Sequence, residues 1–155
     1  MFQSGIYKMS IKRQDIIDRL KTALAITAGE TYHRTITTVD EFRTKPLEAS
    51  ELSAVIVREV SDVTLSQGIE SPYNRQYHHL TVELELATNG LTMAQVRQHI
   101  ADIYKAVGTD TTLGGHCVDV DPISDNIQVD QEELKVQGAI ITIRILYQTA
   151  LFQES

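Results

Sequence analysis

The chain has 155 residues, 42% of them hydrophobic and 23% charged. That is the makeup of one globular domain, long enough to bury about two-thirds of its unfolded surface without a metal or disulfide staple. A formal net charge of −7 argues against a surface built to hold nucleic acid tightly, which needs clustered Lys and Arg. The single Cys117 rules out an internal disulfide, no apolar run is long enough to span a bilayer, and MFQSGIYKMS is too short and polar for a signal peptide. A soluble protein of a reducing compartment, with no membrane partner, is the expectation.

Residues 1–9 carry little pattern and are expected to form a flexible arm, with one α+β domain over residues 10–155. Ser10 can cap a helix, and Ile16, Ile17, Leu20, Ala23, Leu24 and Ala28 then recur at helical spacing. Gly29 supplies a stop, so the spacing predicts a helix over 11–28. Tyr32–Val39 reads as a strand from its Thr, Ile, Val and Tyr content, and the polar stretch Asp40–Leu52 with Pro46 reads as a loop. Leu52–Val63 gives a second strand around AVIV, followed by a long polar connection, Ser61–Gln76.

Tyr77–Leu86 alternates most cleanly: His78, Leu80, Val82, Leu84 and Leu86 share one face, and Tyr77, His79, Thr81, Glu83 and Glu85 the other. One buried and one wet face is the signature of an antiparallel sheet. Asn89-Gly90 makes a turn, Thr92 and Gln95 have capping-box spacing, and Met93, Val96, Ile100, Ile103 and Val107 continue as a helix closed by Gly108. Thr109–Gly115 reads as a loop and His116–Val120 as a short strand. The acidic segment Asp119–Glu133 reads as a solvated loop flanked by short strands near Ile127–Val129 and ending at Val136. Ala139–Leu151 is the organising strand: Ala139, Ile141, Ile143, Ile145 and Tyr147 share a face, and the second face is mixed, as suits a strand with neighbours on both sides. The fold class expected is α+β: two layers, a mostly antiparallel sheet packed against two amphipathic helices.

Candidate chemistry is sparse. His78 and His79 are strand neighbours pointing to opposite faces, and His33, His99 and His116 fall on separate elements without metal-ligand spacing. Asp119, Asp121 and Asp125 lack the turn glycine and terminal Glu of a calcium loop. Cys117 beside His116 faces away from it, Gly114-Gly115 fits a turn better than a phosphate loop, and Glu83 with Glu85 has no indicated cleft. No catalytic, cofactor-binding or metal site is expected, and no enzyme activity.

Taken in order, the Ala54–Val57 strand behind a polar loop, the Thr112-Leu113-Gly114-Gly115 turn after the second helix, and the closing Tyr147-Gln148-Thr149 resemble the tail terminator family of long-tailed bacteriophages, also called minor tail or tail completion proteins. The resemblance runs from about residue 11 to 151. Family members often carry a Pro before the valine strand and a Trp near the end; here Ser53-Ala54 and Phe152 stand there, and there is no Trp.

The resemblance implies a virion structural protein assembled in the host cytoplasm. It would form a homohexameric ring on the head-proximal end of the tail tube, end tube polymerisation, and offer a surface to the head connector or neck protein. Six such copies would carry roughly forty negative charges, so DNA would pass the lumen without specific binding. The Asp40–Leu52 and Ser61–Gln76 segments are expected to supply the subunit or tube interface through Phe42, Leu47, Leu65, Ile69 and Tyr73. Other readings stay open: another neck or head–tail connector component, a small oligomeric ligand-binding α+β module, or a hydrolase using Asp119, Asp121 or His116.

Overall fold

The computed structural model describes residues 11–65, 75–133 and 135–150. The elements run α1 (Lys12–Leu24), β1 (Thr38–Asp40), β2 (Ala54–Thr64), β3 (Arg75–Ala87), α2 (Met93–Gly108), β4 (Asp119–Asp130) and β5 (Lys135–Ala150). Both faces of the hydrogen-bonding plane of β5 are taken: β3 pairs along one side and β4 along the other, antiparallel in each case. The sheet order is β1-β2-β3-β5-β4, and only the three-residue β1 runs parallel to its neighbour. Both helices pack on one face, α1 against β1 and β2 and α2 against β4 and β5, which makes a two-layer α+β fold. No described helix is long and apolar enough to cross a membrane.

The alternation in the sequence places the core correctly. Leu80, Val82 and Leu84 of β3 and Ile141, Ile143 and Ile145 of β5 are buried, with Leu20 and Leu24 of α1 and Ile100 and Ile103 of α2 in the same cluster. Ile143 is 1% exposed between flanking strands, so Ile143→Ala removes buried methyls and leaves a hole that a sheet cannot collapse into. The expected loss is about 2–5 kcal/mol in a urea titration, and a value under about 1 would mean this face is not the core. At α2, the Thr92 hydroxyl accepts from the Gln95 N–H at 3.2 Å and the Gln95 side chain accepts from the Thr92 N–H at 2.9 Å. Thr92→Ala should cost about 1 kcal/mol by the same measurement.

Several expectations need correction. Helix α1 stops at Leu24, not residue 28, because Ile26 turns into the core (5% exposed) while Ala28 is exposed and Gly29 closes a turn with Tyr32. Its N-cap is Ile11, without a side-chain bond; Ser10, like the arm at 1–9, lies outside the described residues. Tyr32–Val39 is not a full strand: only Thr38–Asp40 pairs, while the Asp102 side chain of α2 holds His33 and Arg34, and backbone bonds to Ile26 and Ser53 hold Ile36 and Thr37.

The Ser61–Gln76 segment is not one long loop. Strand β2 continues to Thr64, the Leu65 N–H bonds the Tyr77 carbonyl at 2.8 Å, and β3 begins at Arg75. Likewise Asp119–Glu133 is no loop flanked by short strands but one twelve-residue strand to Asp130, with register shifts at Pro122/Ser124 and Gln128/Val129. Proline without an N–H and acidic side chains suit this strand to the sheet edge it occupies.

Candidate functional site

The expected interface residues are partly open to view. Phe42 is 79% exposed beside a shallow pocket of about 230 Å³ formed with Ile17, Glu41, Val57, Arg58 and Glu59. Leu47 and Leu65 are half-buried, and Ile69 and Tyr73 lie outside the described residues. Beyond Ile56, β2 has no partner on its outer side among the described residues, because β1 reaches only Ala54–Ile56. Val60 and Val63 are exposed on that stretch. The other sheet edge, β4, exposes Ile123 and Val129, with Val118 just before it.

The residues named for a hydrolase do not converge. Asp119 and Asp121 are exposed on β4, on the face opposite the buried Val120, and Asp121 pairs with Arg144 at 3.9 Å. His116 sits in the turn that ends at Cys117. Burial, with Asp110 and Asp119 nearby, pushes the Cys117 thiol up to about 11, which leaves it a neutral, unreactive group. Leu113 (φ 48) and Gly114 (φ 70) take left-handed conformations, and that bend delivers the Leu113 side chain to the core at 1% exposure. Among the described residues no group of three or more His, Cys, Asp or Glu is placed to hold a metal ion.

Two polar clusters were not anticipated. In the first, Asp62 of β2 lies between Arg13 (3.0 Å), the ring Nδ1 of His78 (3.2 Å) and the hydroxyl of Tyr147, which donates to it. The His78 Nε2 is 2.9 Å from Thr149 Oγ1, and its ring stacks on Tyr147 with centroids 4.7 Å apart. A carboxylate, an imidazole and a hydroxyl in line have the form of a nucleophile relay. Here Thr149 is buried, and the carboxylate is shared with Arg13 and Tyr147, so the arrangement ties α1 to three strands.

The second cluster surrounds His99 and Asp102, one helical turn apart on the buried side of α2. The Asp102 carboxylate accepts from the backbone N–H of His33 (3.0 Å) and Arg34 (2.9 Å), and the His33 ring Nδ1 lies 3.0 Å away. Burial acts to raise this carboxyl, but those hydrogen bonds outweigh it and hold it below its ordinary 3.8. His99 Nε2 is 2.9 Å from the Ser53 hydroxyl, and its Nδ1 is buried with no partner. A hydroxyl beside an imidazole can be a nucleophile and base. But burial, aided by the charge of Arg34, pushes His99 down to about 4, which makes it a poor base at neutral pH.

This gives a pH prediction. A base with a depressed folded pKa binds protons more readily when unfolded, so stability should fall as pH drops from about 6.5 to about 4 and this contribution should then level off. His99→Gln should flatten that part of a plot of thermal midpoint against pH. Asp102 acts in the same direction over a lower range: its stabilisation is present above 3.8 and is lost as pH falls below it.

Ser53, His33 and Arg34 also line a polar pocket of about 410 Å³, together with Thr35, Thr37 and Asn89. Helical spacing of His99 and Asp102 with Val96, Ile103 and Ala106 was the sequence signal for this cluster. Compared with known proteins, the chain matches no protein-family model and no curated protein.

Proposed function

We propose that the chain is a ring-forming structural subunit of the tail-terminator type, capping the head-proximal end of a phage tail tube and joining it to the head. One observation carries this: among the described residues the sheet has two unlike unpaired edges, each with exposed apolar side chains. One is the outer side of β2 with Val60, Val63 and nearby Phe42; the other is β4 with Ile123 and Val129. A closed ring needs a heterologous contact, in which one patch meets a different patch on the next copy. Unpaired strand edges are ready templates for such contacts, because their outward N–H and C=O groups have no strand partner among the described residues.

In this reading β4 of one copy lies along the outer β2 edge of the next, with Phe42 covered in the joint. Homohexamer formation, binding to the tube protein and to a neck protein, and the absence of enzymatic activity belong to the same proposal. The acidic balance of the chain would line the lumen with charge that DNA does not adhere to.

The test is negative-stain imaging of the purified protein alone and with tail tubes. Rings at one end of tubes of uniform length are expected. Val63→Asp and Ile123→Asp lie on exposed positions and should fold normally, yet each should abolish rings and give overlong or headless tails. Normal tails from both variants would overturn the edge-to-edge contact.

A further inference from the structure

We infer that the pocket between Arg34, Ser53 and Asn89 binds an oxyanion, a carboxylate or phosphate group, through the Arg34 guanidinium. The pocket has no carboxylate in its lining, although the chain as a whole carries 21 acidic residues against 14 basic. Arg34 is its one permanent cation. That guanidinium makes no ion pair or hydrogen bond through its side chain with any described residue, and its Nε is buried without a partner. Asp102, which accepts from the Arg34 backbone, makes no ion pair with its guanidinium: the Asp102 oxygens are occupied by the backbone N–H groups of His33 and Arg34 and by the His33 ring.

A half-buried cation without a counter-ion carries an uncompensated desolvation cost, and an incoming oxyanion removes it. The planar guanidinium matches a carboxylate or phosphate in two parallel hydrogen bonds. The Thr35 hydroxyl, whose oxygen accepts from the Ala28 N–H and whose proton is unused among the described residues, and the Asn89 amide supply neutral donors around it. A volume of about 410 Å³ fits a small polar metabolite or the tip of a side chain from another protein molecule. The pocket is distinct from both sheet edges, so this inference stands whether or not the ring proposal does.

The test uses the full chain, with inorganic phosphate and succinate as separate probes at constant ionic strength. Amide spectra should show saturable shifts at Arg34, Thr35 and Ser53. Arg34→Gln should weaken binding at least about tenfold, while Arg97→Gln, which removes a cation from the exposed side of α2, should leave it unchanged. Sedimentation velocity of both variants identifies the source of the group. Self-association lost only in Arg34→Gln assigns a carboxylate of a second copy, and unchanged association with saturable probe binding assigns a free small anion. No saturable shift with no change in association, or equal binding by Arg34→Gln, overturns the site.

Discussion

Asp62→Ala is expected to destabilise the fold by about 2–4 kcal/mol, because it removes the shared acceptor of a partly buried polar network and deprives its donors of that carboxylate. The Asp62 side chain is only 11% exposed and is the acceptor shared by Arg13, His78 and Tyr147. Without it, Arg13 keeps Glu59 at 3.6 Å and His78 keeps a long 3.5 Å contact to Thr64. Neither replaces a carboxylate in a site closed off by the Tyr147 ring. The comparison that isolates the Asp62–His78 pair is Asp62→Leu with His78→Leu, singly and together, with Arg13 and Tyr147 left in place. Urea unfolding of the two single variants and the double variant gives their coupling. A loss under about 1 kcal/mol for Asp62→Ala would mean water replaces the carboxylate freely and the network does not hold α1 to the sheet.

The reasons this network was hidden are local. Alternation placed His78 correctly on the buried face with Leu80 and Leu84, and it placed Ile141, Ile143 and Ile145 opposite the helices. It could not place Asp62. Val55 and Val57 are odd-numbered and buried, so a regular strand would turn Asp62 to the open face. A register shift between Glu59 and Ser61 adds one residue and turns Asp62 and Thr64 to the helix side instead. The same device hides β4. Val120 and Pro122 face α2, the shift at Pro122/Ser124 leaves Ile123 exposed, and Asp125 then reaches the Tyr104 hydroxyl at 2.8 Å. Period-two reading fails wherever a bulge resets the parity, and an acidic, proline-bearing strand then reads as a loop. The Arg34 pocket was invisible for another reason. It is built from the loop after α1, the residues just before β2 and the turn before α2, which only the tertiary fold brings together.

Gly138→Ala should be the most damaging single methyl addition among the glycines described, at about 4 kcal/mol or more, or outright failure to fold. A Cβ at this position would lie 1.8 Å from the Leu86 carbonyl oxygen and 2.9 Å from its carbon. Both are backbone atoms of β3, so no rotamer change relieves the contact. Gly138 also has φ 153, a conformation that side-chain-bearing residues rarely adopt. Its place in the sheet explains the close approach. Gly138 pairs with Ala87 on one side and Gln128 on the other, and β4 shifts register at Gln128/Val129. Next to it, both the N–H and the hydroxyl of Thr88 bond the Gln137 carbonyl, drawing the end of β3 tightly onto β5. An added methyl must push these strands apart and break pairing on both sides of the strand that anchors the core. Gly29→Ala is the control: nothing lies within 4 Å of its Cβ, and the residue is exposed, so a change within about 0.5 kcal/mol is expected. Urea titration with an amide spectrum of each variant decides the matter. A folded Gly138→Ala protein losing less than about 1 kcal/mol would show that β3 and β5 are not held this close in solution.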